Sequence, residues 1–127
     1  MKKRIVCLIL FLSVNIIAFQ KITYAQSNVY EFKYFSTKLP NGSKFGPHTV
    51  FITPTANGCT IKHPKGYKCV VDSCKTWQYV SWTQYENNGY VCKQKWKFYD
   101  GGKKIKGTWT DSAGNKGSDS GKLIDYE

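Results

Sequence analysis

Past residue 25 the chain contains neither arginine nor methionine, has only two histidines, and holds no apolar run longer than a few residues. The missing arginine argues against a dedicated nucleic-acid reader, because planar, bidentate recognition of phosphate relies on the guanidinium fork. Also lacking are a glycine-rich phosphate loop, a nucleophile elbow, two carboxylates paired on one element and the metal-binding helix of a protease. No segment keeps an apolar face at helical spacing, so the class expected is all-β with at most a minor helix. Without a long apolar run, this region has no membrane span.

The first residues have a different composition. Met1-Lys2-Lys3-Arg4 is followed by an apolar stretch from Ile5 to Phe19, broken at Ser13 and Asn15, and then by a polar stretch ending in Thr23-Tyr24-Ala25. This is the pattern of a cleavable signal peptide over residues 1–25, with small side chains placed for a cut near Ala25. The apolar stretch is shorter than the ~20 residues a membrane-spanning helix needs. The expected destination is therefore secreted or periplasmic, with residues 26–127 forming a single β domain.

Four cysteines remain in that domain, Cys59, Cys69, Cys74 and Cys92. An even count in an exported chain implies two disulfides. Four cysteines allow three pairings. The preferred one joins Cys69 to Cys74 across a tight turn and Cys59 to Cys92 between early strands and the later sheet. With all four paired, no thiol is left for catalysis, and neither a metal nor a cofactor is expected.

Short segments rich in Tyr, Trp, Val and Thr alternate with Gly, Asn and Pro clusters. Strands are expected at Tyr30 to Phe35, Thr49 to Thr53, Cys59 to Lys62 and Lys68 to Val71. These shorter strands pack with an antiparallel meander of Thr76 to Tyr85, Tyr90 to Tyr99 and Lys104 to Thr110. Lys122 to Ile124 closes the sheet, and residues 111–121, without apolar side chains, read as a flexible loop. If Tyr85 faces Tyr90 across the Glu86-Asn87-Asn88-Gly89 turn, Trp77, Tyr79, Trp96, Phe98 and Trp109 share the inner face. Val80, Trp82 and the lysines then share the other.

Fifteen lysines against eight carboxylates make the exported domain basic and suit an anionic partner. Trp82, Lys93, Lys95, Lys97, Tyr99, Lys104 and Lys106 form the candidate binding face, with an aromatic ring set among cations. The leading expectation is a monomeric, non-enzymatic secreted binding protein. It would be a bacterial inhibitor or host-directed effector meeting a macromolecular partner such as an acidic protein surface. The alternative is a module that binds anionic glycans or other polyanions through the Lys/Trp face. A third reading is a small secreted nuclease with His48 and His63 as base and acid, which requires both rings to reach one substrate.

Overall fold

Breakers in the sequence set the ends of the strands. Pro40-Asn41-Gly42 separates β1 (Tyr30–Leu39) from β2 (Ser43–Thr55), and Ala56-Asn57 separates β2 from β3 (Gly58–Lys62). The His63-Pro64-Lys65-Gly66-Tyr67 loop leads to β4 (Lys68–Lys75), and Thr76-Trp77-Gln78 to β5 (Tyr79–Tyr85). Further turns deliver β6 (Val91–Tyr99), β7 (Lys104–Asp111) and β8 (Lys116–Tyr126), with a short 3-10 turn at Asp100–Gly102. These elements come from a computed structural model that describes residues 28–126. The expected signal peptide, residues 1–25, lies outside the described residues.

All eight strands belong to one antiparallel sheet, in the order β3-β2-β1-β8-β7-β6-β5-β4. The chain winds up and down, and β8 returns beside β1. The two edge strands, β3 and β4, come alongside one another, so the sheet curls into a near-barrel. Closing a sheet in this way removes most of the exposed edge that would otherwise invite pairing with other chains. At one point of the seam a disulfide joins Cys59 to Cys74, and Thr76 Oγ1 donates to the Gly58 carbonyl (2.9 Å). The class is therefore all-β and disulfide-stapled as expected, but the pairing differs. Cys69 and Cys92 are free, and both expected bridges, Cys69–Cys74 and Cys59–Cys92, are absent. Cys69 pairs in register with Gln84, and Gln84 with Cys92. A whole strand separates the two thiols, about 10 Å at ordinary strand spacing, beyond disulfide reach.

The β5–β6 hairpin also departs from expectation, by one residue. Glu86 N–H donates to the Tyr90 carbonyl (2.9 Å), which leaves a three-residue loop of Asn87, Asn88 and Gly89 with Gly89 at φ 85°. This is the type I turn with a left-handed glycine, in which the odd loop length offsets the partners. Tyr85 thus faces Val91 and Trp82 faces Gln94. A one-residue slip exchanges the two faces of a strand. Trp82 and Val80 consequently point into the core, where Trp82 is completely buried, and Tyr79 turns outward beside Lys97. The β6–β7 turn keeps the expected register, with Phe98 opposite Ile105 and Gln94 opposite Trp109.

Residues 111–121 are not one loop. Only Ser112 to Asn115 turn, and Lys116 starts a strand that sits between β1 and β7. The inward positions of β8 are Gly117, Asp119, Gly121 and Leu123, and large rings from neighbouring strands occupy the glycine gaps. A β-carbon on Gly117 would lie 2.6 Å from the Trp109 indole, and one on Gly121 would lie 2.5 Å from the Tyr34 side chain. The apolar cover of this strand is supplied by its neighbours. Asp119, 3 % exposed, accepts from Ser36 Oγ (2.7 Å) and Trp96 Nε1 (3.0 Å), and burial raises its pKa against the lowering effect of those bonds.

The two ends of the barrel are built differently. At the end holding the disulfide, Trp77 adopts φ 61° in the β4–β5 turn and folds inward. Its ring meets Tyr30 (4.6 Å between centroids), Phe98 (5.4 Å) and Phe32 (6.2 Å). Phe32, Val50, Ile52, Ile61, Val80, Trp82, Trp96, Phe98 and Ile105 form the packed core behind this plug.

Candidate functional site

At the opposite end the core gives way to a cavity of about 530 Å³. Its wall is built from the upper parts of β1, β2, β5, β6 and β7 and from the loops at that rim. Tyr34 and Ser36 come from β1, Phe45 and His48 from β2, Gln84 from β5, Cys92 and Gln94 from β6, and Trp109 from β7. His63, Lys65 and Tyr67 enter from the β3–β4 loop, and Glu86 and Tyr90 from the β5–β6 loop. A bulge explains why Phe45 and His48 both reach the cavity although three residues apart. Between the pairs Tyr34–His48 and Ser36–Phe45, β2 carries one residue more than β1.

Aromatic rings line one side in sequence. Tyr34 meets His48 (5.0 Å), His48 meets Phe45 (5.4 Å, near perpendicular), and Phe45 meets Trp109 (6.0 Å). On the other side His63 leans on Tyr67 (4.6 Å), and its Nδ1 accepts the Lys65 backbone N–H (3.0 Å). That bond leaves Nε2 to carry the proton of the neutral ring. Tyr90 donates its hydroxyl to Asp111 Oδ2 (2.6 Å), and Asp111 in turn organises the β7–β8 turn by accepting from the Asn115 N–H (2.7 Å) and the Ala113 N–H (3.1 Å).

Burial pushes several titrating groups around the cavity toward their neutral forms. It lowers the pKa of His48 and of His63, and raises those of Tyr34 and Tyr90. It pushes the Cys92 thiol up to about 12 and the Cys69 thiol up to about 11, so neither is a ready nucleophile. Two wall residues carry a buried polar atom with no partner, Gln94 Oε1 and Trp109 Nε1; behind them, Trp82 Nε1 is unpartnered as well. A buried, unpaired polar group costs about 1–3 kcal/mol and is uncommon in folded proteins. Trp96 makes the contrast: its indole N–H is met by the buried Asp119 carboxylate.

The residues expected to bind lie elsewhere. Lys93, Lys95, Lys97, Tyr99, Lys104 and Lys106 are exposed together on the outer side of β6 and β7, with Lys97 opposite Lys106. Trp82 is not among them, for the register reason given above. Its place is taken by Tyr79 (44 % exposed), which with Tyr99 (48 % exposed) flanks an outer hollow of about 530 Å³ containing Lys95, Lys97 and Lys106. His48 and His63, distant in sequence, line the same cavity. Tyr34, Ser36, Phe45, Gln84, Gln94 and Trp109 were not singled out from the sequence as a site. A usable signal was present in Gly117 and Gly121, four apart on a strand and facing aromatics.

Compared with protein-family models, curated proteins and solved structures, the chain matches none. What fold and site define is a class of scaffold, an up-and-down eight-stranded antiparallel near-barrel with one plugged end and one hollow end. Among the described residues no cluster of His, Cys, Asp and Glu is arranged to hold a metal, and no helix is long and apolar enough to cross a membrane.

Proposed function

We propose that this chain is an exported, non-enzymatic binding protein that carries a small molecule in the mouth of its barrel. The observation that supports the reading best is the cavity itself. It is of ligand size and walled by aromatic rings, with the polar side chains of Ser36, Gln84 and Gln94 among them. Barrels of about eight strands have room inside for side chains or for one small ligand. Here side chains fill one half and leave the other. A capture role of this kind suits a secreted effector or inhibitor that withholds a compound from its surroundings.

The nuclease reading gains a shared location for His48 and His63 but little else. One nitrogen of His63 is engaged by its own loop, and His48 stands between two rings. Lys65 is the one lysine on the cavity wall, and Glu86 shares that wall with it, which is poor support for a phosphoryl group gaining negative charge. Nile red, an uncharged dye that brightens in apolar surroundings, is expected to bind the oxidised protein once per chain and independently of salt. Failure to bind, together with no small molecule co-purifying in native mass spectrometry, would remove the cavity from consideration.

The outer lysine face carries a second reading, that of an anionic glycan site. The outward positions of β6, β7 and β8 hold Lys93, Lys95, Lys97, Lys104, Lys106, Lys116 and Lys122 and no carboxylate up to Lys122. Like charges opposite one another cost a few tenths of a kcal/mol per pair, more concentration than solubility requires. Lys95→Gln, Lys97→Gln and Lys106→Gln together should abolish retention on a sulfated oligosaccharide, and Tyr79→Ala should weaken what survives in high salt. Retention unchanged in both variants would reduce this face to a solubilising surface.

A further inference from the structure

Two rim loops of the cavity carry opposite charges. Glu86, at the start of the β5–β6 turn, and Lys65, in the β3–β4 loop, are the one carboxylate and the one lysine that line it. Both lie near the same two rings. Behind the dominant effect of burial, Glu86 favours and Lys65 disfavours the protonated forms of His48 and His63. The two charges nevertheless do not meet. Glu86 Oε2 accepts from Gln84 Nε2 (3.2 Å), and among the described residues neither Glu86 nor Lys65 has an ion-pair partner. Gln84 is itself buried in the wall, so its bond steadies the carboxylate and leaves the other oxygen to accept from a ligand.

We infer that the cavity takes a zwitterion of the amino-acid type with a large apolar or aromatic side chain. Its ammonium group donates to Glu86, its carboxylate accepts from Lys65, and its side chain lies against the rings of Tyr34, Phe45, His48 and Trp109. His63 strengthens the carboxylate end. With Nδ1 accepting the Lys65 backbone N–H, its neutral ring keeps Nε2–H as a second donor on the loop that carries Lys65. A carboxylate therefore finds donors on one rim loop, and an ammonium group finds an acceptor on the other. A simple anion would face Glu86 and a simple cation would face Lys65, so the wall favours a ligand that carries both charges. The two ends differ in worth. Glu86 is partly buried and held by Gln84, whereas Lys65 is exposed on its loop. Water screens an exposed pair more strongly, which makes the ammonium group the firmer anchor.

The zwitterion assignment rests on the cavity reading above, and the experiment separates the two. Isothermal titration calorimetry of the oxidised protein compares L-phenylalanine with phenethylamine, which lacks the carboxylate, and with phenylpropionate, which lacks the ammonium group. All three keep the ring and differ little in size. L-phenylalanine is expected to bind once per chain, phenylpropionate about tenfold more weakly and phenethylamine about threefold more weakly. Glu86→Gln should remove the preference over phenylpropionate, and Lys65→Gln the preference over phenethylamine. Either single-charge analogue binding the unaltered protein as tightly as L-phenylalanine overturns the assignment, whether or not the variants fold. Preferences that survive both substitutions overturn it too, because other groups then read the charges. If Nile red binds while L-phenylalanine does not, the cavity reading stands and the zwitterion assignment fails. If neither binds, both fail.

Discussion

Asp119 is the residue on which the inner hydrogen bonding turns. It reaches Ser36 on one neighbouring strand and Trp96 two strands away, across Gly107, where a side chain would strike the indole. Replacing it with alanine leaves an indole N–H and a hydroxyl buried without partners, at about 1–3 kcal/mol each. Asp119→Asn keeps an oxygen for the indole and offers Ser36 an amide donor, so it should retain most of the stability. The two variants differ in pH response as well. The folded pKa of Asp119 is raised, so the unfolded chain loses its proton first. Stability from this group therefore falls as pH rises from the unfolded value, 3.8, through the folded one. Denaturant titrations from pH 3.5 to 7 should show this fall in the unaltered protein and not in Asp119→Asn. The histidines act with opposite sense. With His48 and His63 lowered from 6.5, the unfolded chain gains protons first as pH drops below that value, and stability declines until the folded pKa values are reached. His48→Gln should flatten the part of the curve just below pH 6.5.

β8 is the element least legible in the sequence. A segment without apolar side chains reads as a loop when periodicity is the guide, yet it lies in the middle of the sheet because rings from β1 and β7 cover its glycines. Hydrogen exchange should find the amides of Ser118, Asp119 and Ser120 among the slow ones, and rapid exchange along the whole of residues 111–121 would contradict the strand. Gly117→Ala places a methyl against the Thr37 carbonyl oxygen and the Trp109 indole, so backbone must shift, and it should destabilise by about 3 kcal/mol or more in a thermal or urea melt. The hairpins were legible in existence and position, and the β6–β7 register in full. The β5–β6 register was not, because the choice between the three-residue loop Asn87-Asn88-Gly89 and the four-residue loop Glu86-Asn87-Asn88-Gly89 depends on which neighbour closes the turn. That single residue decided whether Trp82 or Tyr79 shared a face with the lysines. The class and the lysine face could be read from one-dimensional patterns. The cavity could not, since its wall draws on five strands whose juxtaposition depends on closure.

At the scale of the whole molecule, the seam between β3 and β4 is where the barrel is weakest and where the covalent link sits. Cys59 and Cys74 are separated by 15 residues, and closing a loop of that length contributes about 3 kcal/mol by restricting the unfolded chain. Reduction, or Cys59→Ser with Cys74→Ser, should lower stability by roughly that amount, read by urea titration. Thiol counting offers a direct check of the pairing. Unfolded but unreduced protein prepared without residues 1–25 should label at Cys69 and Cys92 only. In the folded protein both should react slowly, because they are at least partly buried and their pKa values lie at about 11 and 12. A peptide map linking either of them to another cysteine would contradict the arrangement.

β1 starts opposite the last residue of β8, Tyr30 facing Tyr126, and both lie at the plugged rim near Trp77. Anything attached to either strand end therefore leaves the molecule on the side away from the cavity. A tag, a fusion partner or a surface anchor at either position holds the barrel upright with its opening outward. For the same reason the chain tolerates circular permutation in principle. A short linker from Tyr126 to Tyr30 would span two neighbouring strands, and new ends opened in the Ser112 to Asn115 turn would fall at the hollow rim. Such a permutant moves both termini to the hollow rim, so a bulky group fused there covers the opening without altering a single residue of the wall.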